Sequence, residues 1–451
     1  MKILKFGGTS MGTEESLENV VKIITDNYKK QEKIVVTCSA MSGVTDQLIQ
    51  IGELAEKDDL KGALAVFKKI KKDHFAVAEI FGVAETFFYL IKPVFRDLGN
   101  LIQGIAMLRE LSTQSQANIH SFGERFSTIL LSEILKTKSI PAVQFDSNFV
   151  KTKGHNLLED EVDWEETTVL IKEKLEPVIK RGQIPIVTGF FGTKKNGGVS
   201  LLGRGGSDYT GAILAVCLGA KDLEIWTDVD GFLSADPRVV KNAQIIPEIG
   251  YTETSELCFF GAKVLYPKSI RPVIESNGNV WIKNTFNPEN VGTKIIKESL
   301  ACSYNVQSIA SKEVVIISLD IFGGKLKKSE LFAKLFTFAL EKKISIDAIA
   351  SSESVISFCI EKICLTKKFL KELEGMAPVK ITKDRKILCI VSPPEVQGKV
   401  GVAAGIFGAI SDSGASVEMY SQNSSELAQL VVVKSVDAEK AIRAVHEKLT
   451  N

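Results

Sequence analysis

The chain has 451 residues, 45% of them hydrophobic, and carries 56 Lys and Arg against 55 Asp and Glu, a formal net charge of +1. That length exceeds one compact core and asks for about two to four domains. The even balance of charge excludes a field of one sign, so neither nucleic acid nor an anionic membrane is expected as a partner; small molecules and other protein chains remain.

The chain opens with "KILKFGG", an apolar strand running into a glycine turn, and "EESLENVVKIITDNYKK" follows with Leu17, Val20, Val21 and Ile24 at helical spacing. "EKIVVTCSAMSGVTDQL" repeats the strand, loop and helix order. That order predicts an α/β domain with a largely parallel sheet and helices on its faces. Residues from about 46 to 135 read as a helical excursion, and alternating strands and helices return from "IPAVQFDS" to "NVWIKNTF". The sheet domain is therefore expected over 1–290, where "FNPENVGTKIIKES" has the Pro, Asn and Gly content of a connection leading out of it, and the linker is placed at 291–303. Beyond it a weak internal repeat predicts two small βαββαβ modules, over 304–385 and 386–451. Spacing leaves open whether they fold one after the other or exchange strands.

Three glycine-rich segments fall at predicted strand ends: "KFGGTSM", "TGFFGTKKNGG" and "LLGRGGSDYTGA". In an open parallel sheet that edge binds ligands, and glycines there let backbone N–H groups approach phosphate oxygens beside a helix N-terminus. One such loop could simply end a strand, but three in one sheet domain, with Lys5 and Arg204 embedded, point to a nucleotide or phosphoryl site. No GxxxxGK[ST] loop and no protein-kinase signature is present. His74, His120, His155 and His446 all lie outside the glycine loops, which argues against a Ser/His/Asp hydrolase. A carboxylate acceptor is ionised at neutral pH and needs no general base, so Lys, Arg, backbone amides and Mg²⁺ would suffice to transfer a phosphoryl group to it.

The seven cysteines, Cys38, Cys217, Cys258, Cys302, Cys359, Cys364 and Cys389, form no CxxC pair, so reduced thiols and no metal site are expected. No apolar run reaches the roughly 18 residues of a membrane span. With no room for a leader before Lys5, a cytoplasmic protein is expected, and an organellar one whose leader has been removed would read the same.

Taken in order, "LKFGGTSM", "SAMSGVTD", "SFGERFST", "LGRGGSDYT", "WTDVDGF", "ADPR" and "FGAKVLYP" resemble the motifs of aspartate kinases, in the amino-acid kinase superfamily. The terminal modules resemble the paired ACT domains of that family, and the chain is most similar to its monofunctional, lysine-sensitive group. The resemblance implies ATP-dependent phosphorylation of the β-carboxylate of L-aspartate, with Mg²⁺ riding on the ATP phosphates. It implies that Lys5 neutralises the transferring phosphoryl group and that Asp208 orients Lys5. Gly7, Gly8 and Ser10 would bind phosphates. Arg204 would capture an aspartate carboxylate and Glu124 the substrate ammonium, with Thr45, Gly205, Gly206 and Ser207 adding contacts. Thr227, Asp228, Phe232, Arg238, Lys263 and Val264 would belong to the nucleotide side; Phe232 stands where relatives have tyrosine, and so can stack but cannot donate a hydroxyl hydrogen bond. Ile346, Asp347, Ser352 and Glu353 would sit at an amino-acid effector site, with lysine favoured, although Lys325, Lys327 and Lys328 nearby either oppose a cationic effector or point to solvent. A homodimer through the ACT-like modules is expected, because isolated modules expose sheet edges. Two other readings stay in view: a kinase for another amino-acid carboxylate, and a catalytically silent amino-acid sensor.

Overall fold

In a computed structural model, which describes residues 1–298 and 306–449, the chain divides into two units. The first is Met1–Gly231 with Val264–Lys297, and the second is Phe232–Lys263 with Glu298–Asn451.

In the first unit β1 (Lys2–Phe6) leads to α1 (Glu14–Lys29), whose N-terminus is closed by a reciprocal Thr13–Ser16 capping box. β2 (Ile34–Cys38) follows, then the helical excursion α2 (Val44–Glu56), α3 (Leu60–Ile80), α4 (Ala84–Leu108), α5 (Thr113–His120) and α6 (Phe122–Thr137). β3 (Ala142–Phe145), α7 (Trp164–Lys180), β4 (Ile184–Thr188), the small hairpin β5 (Phe191–Thr193) and β6 (Val199–Leu201), α8 (Gly206–Leu218) and β7 (Asp222–Thr227) continue it. The chain then enters the second unit with β8 (Glu248–Gly250) and α9 (Tyr251–Phe259), and returns with α10 (Pro267–Glu275), β9 (Asn279–Asn284) and β10 (Thr293–Ile296). Within the first unit the strands lie in the order β3, β4, β2, β1, β7, β9, β10. All pairs are parallel except β9 with β10. The side chains of the central strands β1, β2, β4 and β7 are buried almost throughout, as strands covered on both faces must be.

The order places β2 on one side of β1 and β7 on the other, so a crevice opens where the chain reverses direction across the sheet. One face of the sheet is covered by a core joining Ile34, Val36, Ile184 and Ile186 to Phe126, Leu130 and Ile134 of α6, and through them to Phe67, Phe87, Phe95 and Leu98. His74 lies inside this core with Nδ1 2.8 Å from the Ile70 carbonyl, and burial pushes its pKa down to about 4. It is structural.

The second unit is a six-stranded sheet. Its later elements are β11 (Ser308–Asp320), α11 (Lys328–Glu341), β12 (Ala348–Ser351), β13 (Val355–Glu361), α12 (Lys367–Glu374), β14 (Val379–Val391), α13 (Val402–Asp412), β15 (Met419–Gln422), β16 (Ala428–Lys434) and α14 (Ser435–Leu449). The strand order is β12, β13, β11, β14, β16, β15. The question the repeat left open has an answer here: the modules share strands. The second half of β11 pairs with β13, while the first half pairs with the second half of β14, which in turn pairs with β16. A register shift between Val314 and Ile316 separates the halves. Two cores result, one with Val315, Ile317, Leu335, Phe358 and Leu373, the other with Ile309, Leu388, Ile406, Val431 and Val445. The division expected between residues 385 and 386 thus runs through the middle of β14. The connection expected over 291–303 contains strand β10; its remainder from 299, with Cys302, lies outside the described residues.

Residues 232–263, expected inside the sheet domain, group with the second unit. The reason is packing that sequence spacing does not record. Ile309 N–H donates to the Ser234 carbonyl at 3.0 Å, Ser308 Oγ donates to the Leu233 carbonyl at 2.7 Å, and Ala235 forms a parallel bridge with Ile309. Gly261, at φ +124°, passes so near β11 that a Cβ would stand 2.4 Å from the Ser311 carbonyl oxygen.

Candidate active site

At the C-terminal ends of β1, β2, β4 and β7 lies a cavity of about 520 Å³ in the first unit. Its wall comes from short loops that the glycines make possible. Gly205 begins α8 at φ +69°, and a Cβ on Gly206 would stand 2.8 Å from the Phe190 ring. The first turn of α8 therefore points Ser207 and Asp208 into the cavity with its N–H groups and positive dipole end.

Lys5, the fourth residue of β1, lies in register with Thr37 of β2 and Ile225 of β7. Its Nζ is 2.6 Å from Asp208 Oδ1, and both side chains are largely buried. Asp208 fixes the ammonium on the cavity wall. Arg204 also lines the cavity, is exposed, and has no hydrogen bond or ion pair among the described residues. It is an uncommitted fork donor for a carboxylate.

Glu124 enters in the first turn of α6, brought close because Gly123 has no side chain: a Cβ there would lie 2.6 Å from that of Ala40. It is 3% exposed. One carboxylate oxygen accepts the Ala40 N–H at 3.2 Å, and Oε2 has no partner among the described residues. Burial pushes its pKa up to about 8, opposed by the Ala40 N–H and the Lys5 charge. An incoming ammonium would supply the missing donor. Beside it, burial raises the Cys38 thiol far above its ordinary range, so that cysteine is inert.

Of the residues expected at the site, the structure brings Lys5, Gly7, Gly8, Thr45, Glu124, Arg204, Gly205, Gly206, Ser207, Asp208, Thr227 and Asp228 to this one cavity. Two donors expected to meet phosphate have internal partners instead. The Gly7 N–H donates to the Trp226 carbonyl at 3.0 Å. Ser10 is fully buried with its hydroxyl between the Trp226 carbonyl, at 3.2 Å, and Thr285 Oγ1, at 2.7 Å. Val264 belongs to the first unit but does not line the cavity, while Phe232, Arg238 and Lys263 belong to the second unit. Phe232 is buried there, Lys263 is exposed, and Arg238 projects into solvent, forked onto Asp236 at 2.6 Å. The reading of the sequence passed over Ser39, Met41, Ser42 and Phe190, which also line the cavity. Phe190 has φ +74°, a left-handed conformation that "TGFFG" does not disclose.

Of the expected effector residues, Asp347 is buried and ion-paired with Lys312 at 3.0 Å, Ile346 is half-buried, and Ser352 and Glu353 are exposed. Lys325 and Lys327 are also exposed. No cluster of three or more His, Cys, Asp or Glu suited to a metal ion occurs among the described residues. No helix among them is long and apolar enough to cross a membrane.

Residues 1–284 match the amino acid kinase family and residues 390–449 the ACT domain. The chain is 32% identical over 463 residues to chloroplastic aspartokinase 1 of Arabidopsis thaliana, covering 99% of this chain and 79% of that protein. It is 32% identical over 469 residues to the bifunctional aspartokinase/homoserine dehydrogenase of Buchnera aphidicola, of which it spans 56% while all of its own length is covered. Solved structures of Escherichia coli aspartokinase III are 26% identical, with both chains covered completely; the TM-score is 0.81 to the R-state complex with aspartate and ADP and 0.86 to the T-state complex with lysine and aspartate. The chain belongs to the amino acid kinase family and, within it, to the aspartokinases, which are phosphotransferases.

Proposed function

We propose that this chain transfers the γ-phosphoryl group of ATP to the β-carboxylate of L-aspartate, giving 4-phospho-L-aspartate, the first step toward lysine, threonine and methionine. The observation that carries the reading is one cavity holding three complementary features: the Lys5–Asp208 pair, the uncommitted Arg204 and the half-satisfied Glu124 carboxylate. Aspartate offers two carboxylates and an ammonium. With Arg204 on the α-carboxylate and Glu124 on the ammonium, the β-carboxylate is left to attack. Its oxygen bonds to the γ-phosphorus as the bond to ADP breaks, and no proton need be removed. Lys5 offsets charge on the transferring group, while the Gly8 loop and the first turn of α8 offer backbone donors. Few carboxylates in the cavity are free to bind a metal, which suits Mg²⁺ carried on the phosphates with its own waters.

Regulation by an amino acid at the second unit, whose residues 390–449 match the ACT domain, with lysine favoured, is supported by the likeness to E. coli aspartokinase III, solved with lysine. Ile346, Asp347, Ser352 and Glu353 are the residues proposed for it. A homodimer through this region is proposed because β12 and β15 end the six-stranded sheet, each with an edge that pairs with no further strand among the described residues. The test is ADP release with aspartate, glutamate and N-acetylglutamate as parallel acceptors, with lysine or threonine added. Aspartate-specific turnover is expected; equal or greater turnover with another acid, or none with any, contradicts the proposal.

A further inference from the structure

Phe190 borders the first-unit cavity at φ +74°, a value that a bulky side chain rarely accepts. The Phe191 N–H donates to the Gly189 carbonyl at 3.0 Å, so Phe190 is the central residue of a three-residue γ-turn of the positive-φ kind, which is rare and strained. Such strain persists only where the surroundings hold it. Part of the hold is backbone to backbone: besides the turn's own bond, the Gly189 N–H donates to the Cys38 carbonyl at 3.1 Å and the Leu202 N–H to the Phe190 carbonyl at 2.9 Å. The Phe190 N–H, in contrast, goes to a side chain, Thr210 Oγ1, 3.1 Å away on α8. Thr210 is fully buried, and its hydroxyl hydrogen goes to the Gly206 carbonyl at 3.0 Å, which leaves the oxygen to act as acceptor. One hydroxyl therefore ties the γ-turn to the first turn of α8. The two turns also interlock: a Cβ on Gly189 would stand 2.8 Å from Ser207 Oγ, and one on Gly206 2.8 Å from the Phe190 ring.

We infer that Thr210 is a positioning residue for the acceptor: its hydroxyl holds Phe190 in the strained turn, and so keeps the Phe190 ring and Ser207 in the places that bind the acceptor acid. Thr210 itself does not line the cavity. The inference rests on the aspartokinase reading for the identity of the acceptor. Without the hydroxyl the Phe190 N–H loses its acceptor, and relaxation of the turn toward negative φ carries the ring away from its place on the cavity wall. The Lys5–Asp208 pair makes no bond to the turn, so the loss falls on acceptor binding rather than on the transfer step.

The test measures initial rates and calorimetric titration with ADP on the full chain. Thr210→Val, which keeps the shape and loses the hydroxyl, is expected to raise KM for aspartate about tenfold, with kcat within about threefold and the ADP Kd within about twofold of wild type. Thr210→Ser, which keeps the hydroxyl, stays within about twofold in KM. Thermal unfolding shows whether each variant is folded. A folded Thr210→Val protein with wild-type KM overturns the inference. So does an equal rise in Thr210→Ser, which would mean methyl packing, or a rise of KM and ADP Kd by the same factor, which would mean a general loosening. If Thr210→Val does not fold, Thr210→Ala is read by the same criteria, and failure of both to fold makes Thr210 a residue of the fold alone and overturns the inference. Should the wild type turn over a different acid, the KM for that acid takes the place of aspartate's, so the aspartate assignment can fail by itself. A wild type that turns over no acid is compared with the variants by calorimetric titration of aspartate, and absence of binding there defeats both readings.

Discussion

Among the described residues there are two buried lysine–aspartate pairs, one in each unit, and they have different surroundings. Lys5 and Asp208 are 2.6 Å apart, with side chains 9% and 11% exposed; Lys312 and Asp347 are 3.0 Å apart, with side chains 13% and 0% exposed. Lys5 borders a cavity floored by glycines. Lys312 is closed in by the Phe259 ring at 4.2 Å, the Phe260 ring at 5.2 Å and a second carboxylate, Glu361, at 3.4 Å. Burial holds the Asp347 carboxyl above its ordinary value although Lys312 opposes the shift. A buried pair is weak evidence of function in itself. The open space beside one of them makes it usable by a phosphoryl group, and the aromatic cover on the other makes it a fastening between α9 and the six-stranded sheet.

Substitutions separate these roles. Lys5→Ala is expected to lower kcat by about a thousandfold, since the charge matters most where negative charge gathers, with a smaller loss of stability than at Lys312 because Asp208 borders the open cavity, where water can reach it. Lys312→Met should do the reverse: removing one partner leaves Asp347 buried and unmatched, and denaturant unfolding should show a loss of about 3–5 kcal/mol. Adding Asp347→Leu to Lys312→Met should recover most of that loss. Failure to recover would mean that the pair does more than fasten the fold.

Glu124 gives a subtler contrast, because it is a buried carboxylate without a cation of its own. Its folded pKa is raised to about 8, so it is largely neutral in the ligand-free protein at neutral pH. A raised carboxyl costs stability as pH climbs from the ordinary carboxylate value to the folded one. Ligand-free stability is therefore expected to fall between about pH 4.5 and 8 and to level off above, and Glu124→Gln should remove that slope. Aspartate binding draws the group into its charged form and expels a proton, so KM for aspartate should fall from pH 6.5 to 8. Glu124→Gln should raise that KM about tenfold and flatten its pH dependence, as read from initial rates.

The site was legible where it is local. Lys5 beside Gly7 and Gly8, and Arg204 before Gly205 and Gly206, show their chemistry within a few residues, because a strand end, a glycine turn and a helix start are each coded by neighbours. Phe190 was not legible: its left-handed backbone follows from the close approach of Gly206 across the hairpin. Nor was the inward use of the Gly7 N–H and the Ser10 hydroxyl, whose partners Trp226 and Thr285 lie more than 200 residues away. The allegiance of residues 232–263 rests on contacts with Ser308, Ile309, Ser311 and His446, and the shared strands β11 and β14 rest on pairing between distant halves. Periodicity records which face of an element is apolar, not which partner covers it.

The central claim is that the first-unit cavity phosphorylates the β-carboxylate of aspartate with Lys5 at the transferring group. The most direct measurement traps the acyl phosphate with hydroxylamine while ADP is followed, in wild type and in Lys5→Ala. Hydroxamate formed in step with ADP by the wild type, and nearly abolished in the folded variant, is the result expected. Full hydroxamate yield from Lys5→Ala, or ADP released by the wild type without hydroxamate, would contradict it.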